Sequence, residues 1–396
     1  MDIKKEAMDL KDQIIKWRRD LHQIPETGMN LPQTSGYVKK RLEEMGISYQ
    51  TFSDHSGIVC LLGKPGGRTV ALRADMDGLP VREENQCDYA ATNGCMHACG
   101  HDGHTAALLG AARILKAHEN ELNGYVKLIF QPDEENIAGG PKMVADGVLK
   151  NPDVDGFYAM HVGGIAGEHD GNGDILVSRG GLFATSGGFR IVFKGKGAHS
   201  STPQLSKDPI LAAAHFIEAI QGLISREVSP WDAATLTVSY IEAGNNSTYG
   251  LIPETARLHG GLRTVTYEVY KHLMERITEI ANFTAASMGM SADIEYVSPC
   301  LPVVNDKQMV EDFLVSAGKV VPSEKIVMMD HGTLGGEDAG AYMAEVPGCY
   351  FLLYNLVASD DGVVYPHHNS RFSIDDSCLY EGSALLAQAA VDFLAK

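Results

Sequence analysis

The chain has 396 residues, enough for a large core and more than one domain. Its 33 Lys+Arg against 51 Asp+Glu leave a formal charge of -18, with no basic cluster of the kind nucleic acid requires. No apolar run approaches a membrane span, and Met1 to Trp17 is charged and amphipathic, without the apolar core of a signal peptide. The seven cysteines (60, 87, 95, 99, 300, 349, 378) are scattered and odd in number, which favours free thiols in a reducing compartment. The expectation is a cytoplasmic protein with no nucleic-acid or membrane partner.

In chain order, Lys4 to His22 reads as one amphipathic helix and Pro32 to Met45 as a second. Ile58 to Leu62 and Thr69 to Ala74 read as strands, and the latter runs into an acidic turn at Asp75 and Asp77. Thr105 to Leu115 is a run of helix formers. Tyr125 to Phe130 and Asp155 to Met160 are strands, with a helix at Pro141 to Leu149 between them. This alternation predicts an α/β sheet, mostly parallel and covered on both faces. From Gly187 the pattern becomes βαββαβ: strand 189–196, helix 209–225, strands 234–242 and 254–265, helix 267–288, strand 293–297. That order predicts a ferredoxin-like α+β insertion. Alternation resumes after Pro302 with helix 306–318, strand 325–329, helix 337–344, strand 349–354 and helix 376–394. The predicted division is a discontinuous domain, 1–186 with 297–396, interrupted by an inserted domain at 187–296.

The densest chemistry lies in Cys95-Met-His-Ala-Cys-Gly-His-Asp-Gly-His104, where glycines allow thiol, imidazole and carboxylate groups to converge. These are donors that divalent transition metals prefer. Glu134-Glu135 and His161 fall at strand ends, and Pro366-His-His-Asn-Ser370 lies in the C-terminal segment. Each alone reads equally as a solvated pair, a structural histidine or a surface loop. Together they place ligand-type residues along one sheet edge, the edge where open α/β sheets bind ligands. One of the two adjacent carboxylates could bind metal while the other serves as general base.

Several motifs share one resemblance. They are Arg73-Ala-Asp-Met-Asp-Gly-Leu-Pro80, Met96-His-Ala-Cys-Gly-His-Asp-Gly-His104, Gln131-Pro-Asp-Glu-Glu135, Met160-His161, Gly195-Lys-Gly-Ala-His-Ser200, Gly336-Glu-Asp338 and His367-His-Asn-Ser-Arg-Phe372. They run from about 70 to 372, so they cover nearly the whole chain. The chain resembles the amidohydrolase branch of the metallopeptidase clan that includes aminoacylases and glutamate carboxypeptidase. That branch holds hippurate hydrolases, N-acyl-L-amino-acid amidohydrolases, N-acetyldiaminopimelate deacetylases and plant auxin-conjugate hydrolases.

The resemblance implies two divalent transition-metal ions, Zn or Mn before Co or Ni, held by Cys99, His101, Glu135, His161 and His368. It implies Glu134 as general base, His199 as an oxyanion-stabilising group from the inserted lid domain, Arg263 and Gly336 as substrate contacts, and a homodimer through the lid. The implied reaction is hydrolysis of an N-acyl amino acid to a carboxylic acid and a free amino acid. Asp75 and Asp77 read as groups that shape the site from behind the ligands. Two positions depart from the branch: Gly250-Leu-Ile-Pro253 stands where Asn-Val-Ile-Pro is usual, and Ser200-Ser-Thr-Pro-Gln204 where Ala-Ala-x-Pro-His is common. Two other readings stay open at this point, a non-catalytic metal-dependent binder or sensor and a thiol hydrolase using Cys99.

Overall fold

The computed structural model describes residues 1–396 except Glu168 and Asp170. The chain divides into two compact units: Met1–Leu182 with Val303–Thr333 and Glu337–Lys396, and Phe183–Pro302 with Leu334–Gly336.

The first unit is built on an eight-stranded sheet. Its spatial order is Tyr49–Thr51, Ile58–Gly63, Gly124–Gln131, Arg68–Asp75, Gly156–Val162, Gly348–Tyr354, Asp174–Ser178 and Ile326–Met329. The four central strands run parallel, and antiparallel pairings appear toward the edges. Their sequences explain the parallel core: Gly156–Val162 and Gly348–Tyr354 are buried along their full length. Strands buried on both faces read as continuous apolar runs. The helix His101–Ala117 is rich in alanine and leucine, and fourteen of its residues are buried. Leu379–Leu394 packs beside it in the same hydrophobic core. No described helix is long and apolar enough to cross a membrane.

Two local expectations are corrected. The single helix over Lys4–His22 is two, Ile3–Asp9 and Lys11–His22. The break lies at Leu10, whose N–H is shared between the Glu6 and Ala7 carbonyls, a tightened turn that re-aims the apolar face. The strand Asp174–Ser178 was not anticipated. Its three apolar residues are too few to show a period, and only pairing with Leu352–Tyr354 and Ile326–Met329 makes it a strand.

The second unit carries a four-stranded antiparallel sheet, ordered Ala234–Ala243, Thr255–Thr264, Thr185–Lys194 and Ser291–Cys300. Helices Pro209–Glu227 and Tyr267–Ser287 cover it through Phe189, Phe193, Phe216, Leu273 and Ile277. Succession and strand order are those of a ferredoxin-like unit. Side chains cap both helices at their N-termini, Asp208 accepting from Ile210 N and Thr266 from Val269 N. The unit extends past 187–296 because pairing continues to Thr185 at one end and Cys300 at the other.

Candidate metal centre

The site forms at the carboxyl ends of the central parallel strands. Arg68–Asp75 delivers Asp75 and then Asp77, Gly124–Gln131 leads to Glu134 and Glu135, and Gly156–Val162 carries His161. Cys99 arrives on the loop before the helix that begins at His101, with Gly100 as its N-cap at φ +89°. Gly100 is required twice over. The left-handed backbone favours glycine, and a Cβ there would stand 2.6 Å from Val162 Cγ2.

Cys99 Sγ lies 3.6 Å from His161 Nε2 and 3.6 Å from His367 Nδ1. The ligand-type atoms of Cys99, His161 and His367 lie within 4.8 Å of one another, and so do those of Cys99, His101 and Glu135. The thiol therefore belongs to two donor sets at once. His368 Nε2 approaches Glu135 Oε2 at 3.3 Å, and His101 Nε2 lies 3.8 Å from both Glu134 Oε2 and Glu135 Oε1. Cys99, His101, Glu134, Glu135, His161 and His368 thus come together in one place. His367 joins them without having been assigned a role from sequence. The signal was present in the doublet His367-His368, but a doublet does not say which ring turns inward.

His101 Nε2 and Glu135 Oε1 are buried without a hydrogen-bond partner, while His101 Nδ1 stands 3.3 Å from Asp77 Oδ1. Leaving such groups unsatisfied costs about 1–3 kcal/mol each. Thiol, imidazole and carboxylate groups at these spacings are a donor set that divalent transition metals satisfy, so the residues fit a two-ion centre. The histidine electrostatics agree. Burial, then neighbouring His104 and His367, holds His161 well below the ordinary histidine range. Burial, with His368 and His104, lowers His367 to about 3. Both rings are therefore neutral, the form that binds metal. Burial pushes the Cys99 thiol well up, with Glu135 adding to the effect. Glu135 is pushed up to about 7, chiefly by burial. Glu134 is raised well above the carboxylate range by burial and then by Glu337 and Asp338. An acid held this high takes up a proton readily.

A scaffold of buried charge stands behind these groups. Asp77 accepts the backbone N–H of Glu134 through Oδ1 and that of Glu135 through Oδ2, both at 3.1 Å, and so fixes the turn that separates the two carboxylates. Asp75 Oδ1 is 2.5 Å from His104 Nδ1, and His104 Nε2 accepts from Val162 N at 2.9 Å, beside His161. Arg73 is fully buried. Its guanidinium reaches Asp75 at 2.9 Å, Asp338 at 2.8 Å and Glu337 at 3.1 Å, and its Nε donates to Gln131 Oε1 at 2.9 Å. Arg73, His104 and Glu337 stand in the sequence motifs but are given no role there, because nothing local shows that one arginine will face carboxylates from distant segments.

The remaining expected residues lie in the second unit. His199 is exposed on a short strand whose partner is Leu251, and its Nδ1 lies 2.7 Å from Ser201 Oγ. Gly250 is its neighbour: a Cβ there would be 3.7 Å from His199 Nε2, an ordinary contact. Arg263 is exposed on Thr255–Thr264, and its Nη1 donates to Leu334 O at 2.7 Å. Gly336 follows Gly335, whose carbonyl accepts from Ala184 N at 2.9 Å.

An open α/β sheet with a thiol shared between imidazole and carboxylate donors, and a raised carboxyl beside them, defines a metal-dependent hydrolase. The chain belongs to peptidase family M20/M25/M40, whose profile matches residues 71–392. It is 34% identical over 391 residues to IAA-amino acid hydrolase ILR1-like 4 of Arabidopsis thaliana, covering 98% of this chain and 87% of that protein. It is 35% identical over 385 residues to N-acetyl-L-cysteine deacetylase of Bacillus subtilis, covering 96% and 88%. A solved dinuclear metal-binding peptidase of the M20 family from Bacillus subtilis superposes with a TM-score of 0.81 at 29% identity, over 98% of this chain and 99% of that one.

Proposed function

We propose that this protein hydrolyses the amide bond of N-acyl amino acids, releasing a carboxylic acid and a free amino acid. The carrying observation is the Cys99 thiol shared by two donor sets with Glu134 beside them. His101 and Glu135 with His368 would hold one ion, His161 with His367 the other, and Cys99 both. Zn or Mn, with Co or Ni as further candidates, would supply a Lewis acid that polarises the acyl carbonyl and acidifies water. Glu134 takes the proton of the attacking water and passes it to the departing nitrogen, so the C–N bond breaks as the amine becomes neutral. Relatives bearing the names IAA-amino acid hydrolase, N-acetyl-L-cysteine deacetylase and N-acetyldiaminopimelate deacetylase support this substrate class.

On the second unit, His199 is assigned to stabilising the oxyanion of the tetrahedral intermediate, and Arg263 and Gly336 to the substrate. Arg263 retains N–H groups beyond the one given to Leu334 O, enough to hold a carboxylate. This unit also serves as lid and homodimer surface. Its edge strand Ala234–Ala243 exposes Tyr240 and Ile241 at 43% and 53%, and Trp231, in the segment leading into it, is 94% exposed. Exposed apolar edge strands are normally covered.

Thiol catalysis is disfavoured because it leaves Glu134, Glu135 and His368, gathered with Cys99 in one place, without a role. The test is turnover of an N-acyl amino acid panel by protein loaded with each metal in turn. Activity should require metal and vanish on chelation. Full activity in metal-free protein would overturn the reading, and binding of the panel without turnover would convert it to a sensor.

A further inference from the structure

The helix Lys11–His22 carries two buried polar residues that neither the fold nor the reaction so far explains. Arg18 is 2% exposed and His22 is 1% exposed. His22 Nδ1 lies 2.7 Å from Asp102 Oδ2, and its Nε2 lies 3.1 Å from Glu83 Oε1. Arg18 Nε stands 2.8 Å from the same Asp102 oxygen. Glu83 is itself anchored, accepting from Ala91 N at 2.6 Å and Asn85 Nδ2 at 3.2 Å. Asp102 follows His101 in the first turn of its helix, and its other oxygen accepts from Gly103 N at 2.9 Å.

We infer that His22 is a positioning residue: its ring ties Glu83 to Asp102, closing the segment that delivers Cys99 and His101 and setting their geometry for metal. Three features carry this. The two ends of the segment meet on one imidazole, although Glu83 and Asp102 are separated by a long irregular stretch. All the groups are buried, so the contacts are not loosened by water. Asp102 shares a turn with His101, so its placement passes through rigid helix backbone to the ligand. Burial and the Arg18 guanidinium oppose a charged ring, yet Asp102 and Glu83 together raise His22 above the ordinary histidine range. Both nitrogens can then donate. A side chain that orients a metal ligand from behind typically changes metal affinity by about 10–100-fold when removed.

The test uses the full-length metal-free protein titrated with Co(II), read by the thiolate-to-cobalt absorption band. Folding of each variant is checked by circular dichroism and thermal melting. Asn places an amide nitrogen where His Nδ1 stands, and Gln places one where Nε2 stands. His22→Leu should bind Co(II) about 10–100-fold more weakly and with an altered band. His22→Asn, which restores only the Asp102 contact, should recover part of the affinity, and His22→Gln, which restores only the Glu83 contact, should recover less, since neither joins the two ends of the segment. Equal affinity in wild type and His22→Leu would overturn the inference, as would full recovery by either the Asn or the Gln variant. If His22→Leu does not fold, the Asn and Gln pair carries the comparison alone. The inference rests on Cys99 and His101 being metal ligands. Failure of the wild-type protein to give a thiolate band would refute that premise, whereas wild-type binding with unaffected variants would refute only the role of His22.

Discussion

Glu135 Oε2 stands 3.3 Å from His368 Nε2, while Glu135 Oε1 is buried without a hydrogen-bond partner. Its neighbour Glu134 is turned elsewhere, toward Glu337 and Asp338, whose ligand-type atoms lie within 4.8 Å of it. Adjacent carboxylates are thus given separate surroundings by one turn held on Asp77. Glu134→Gln should leave metal content intact and lower turnover by about 10²–10⁴. Glu135→Gln should instead weaken metal affinity by more than about 10-fold. Metal analysis alongside steady-state kinetics separates the two, and reversed phenotypes would exchange the roles.

Metal affinity should depend on pH in a definite direction. Glu135 is pushed up to about 7, so protons compete with metal below that value. Affinity should fall by at least about 10-fold per pH unit below neutrality and go on rising above it, because the Cys99 thiol must also give up its proton to bind metal. Metal-free protein should behave oppositely. A carboxyl raised on folding stabilises the native state below its unfolded pKa of about 4.3, and that contribution is lost as pH rises toward 7. Urea unfolding of metal-free protein at pH 5 and pH 8 checks the sign.

Arg73 neutralises Asp75, Glu337 and Asp338 in a fully buried setting. Arg73→Met should destabilise the protein by about 3–5 kcal/mol, because it strands buried carboxylates without a counter-charge. Adding Asp338→Asn to that background should recover part of the loss, since it removes one stranded charge. A double-mutant cycle in denaturant measures the coupling. Simple additivity would show that Asp338 does not depend on Arg73.

Gly100→Ala should cost about 1–2 kcal/mol through its left-handed backbone alone. The added Cβ meets Val162 Cγ2 at 2.6 Å, which adds strain next to Cys99 and His101 and should weaken metal binding. Val162→Ala in the same chain should relieve the contact but not the backbone cost. If it restored full stability, the contact alone would account for the glycine.

His199→Ala should lose turnover with metal content unchanged, since no metal ligand is assigned to its unit. In the proposed homodimer, a subunit lacking His199 mixed with one lacking Glu134 should regain partial activity if each site draws on both subunits. Subunit exchange is followed by native mass spectrometry. No recovery despite exchange would place His199 within its own subunit's reaction.

Much of this protein is decided by local sequence. The fully apolar strands announce a doubly covered parallel sheet, the βαββαβ succession announces the second unit, and Cys99, His101, Glu134, Glu135 and His161 stand in short motifs at strand or helix ends. Residues a few positions apart on such an end are bound to converge, because period and turn chemistry act over that range. Other features depend on segments far apart in the chain. Whether His367 or His368 turns toward Cys99 is set by the backbone path at His368, where φ is +66°, and by the His368 N–H bond to Ala98 O at 2.8 Å. That Arg73 faces three carboxylates, that His22 joins Glu83 to Asp102, and that Asp174–Ser178 becomes a strand follow from sheet order and helix packing. These contacts form between groups that share no local pattern, so only the assembled fold brings them into the low-dielectric interior where they govern the site.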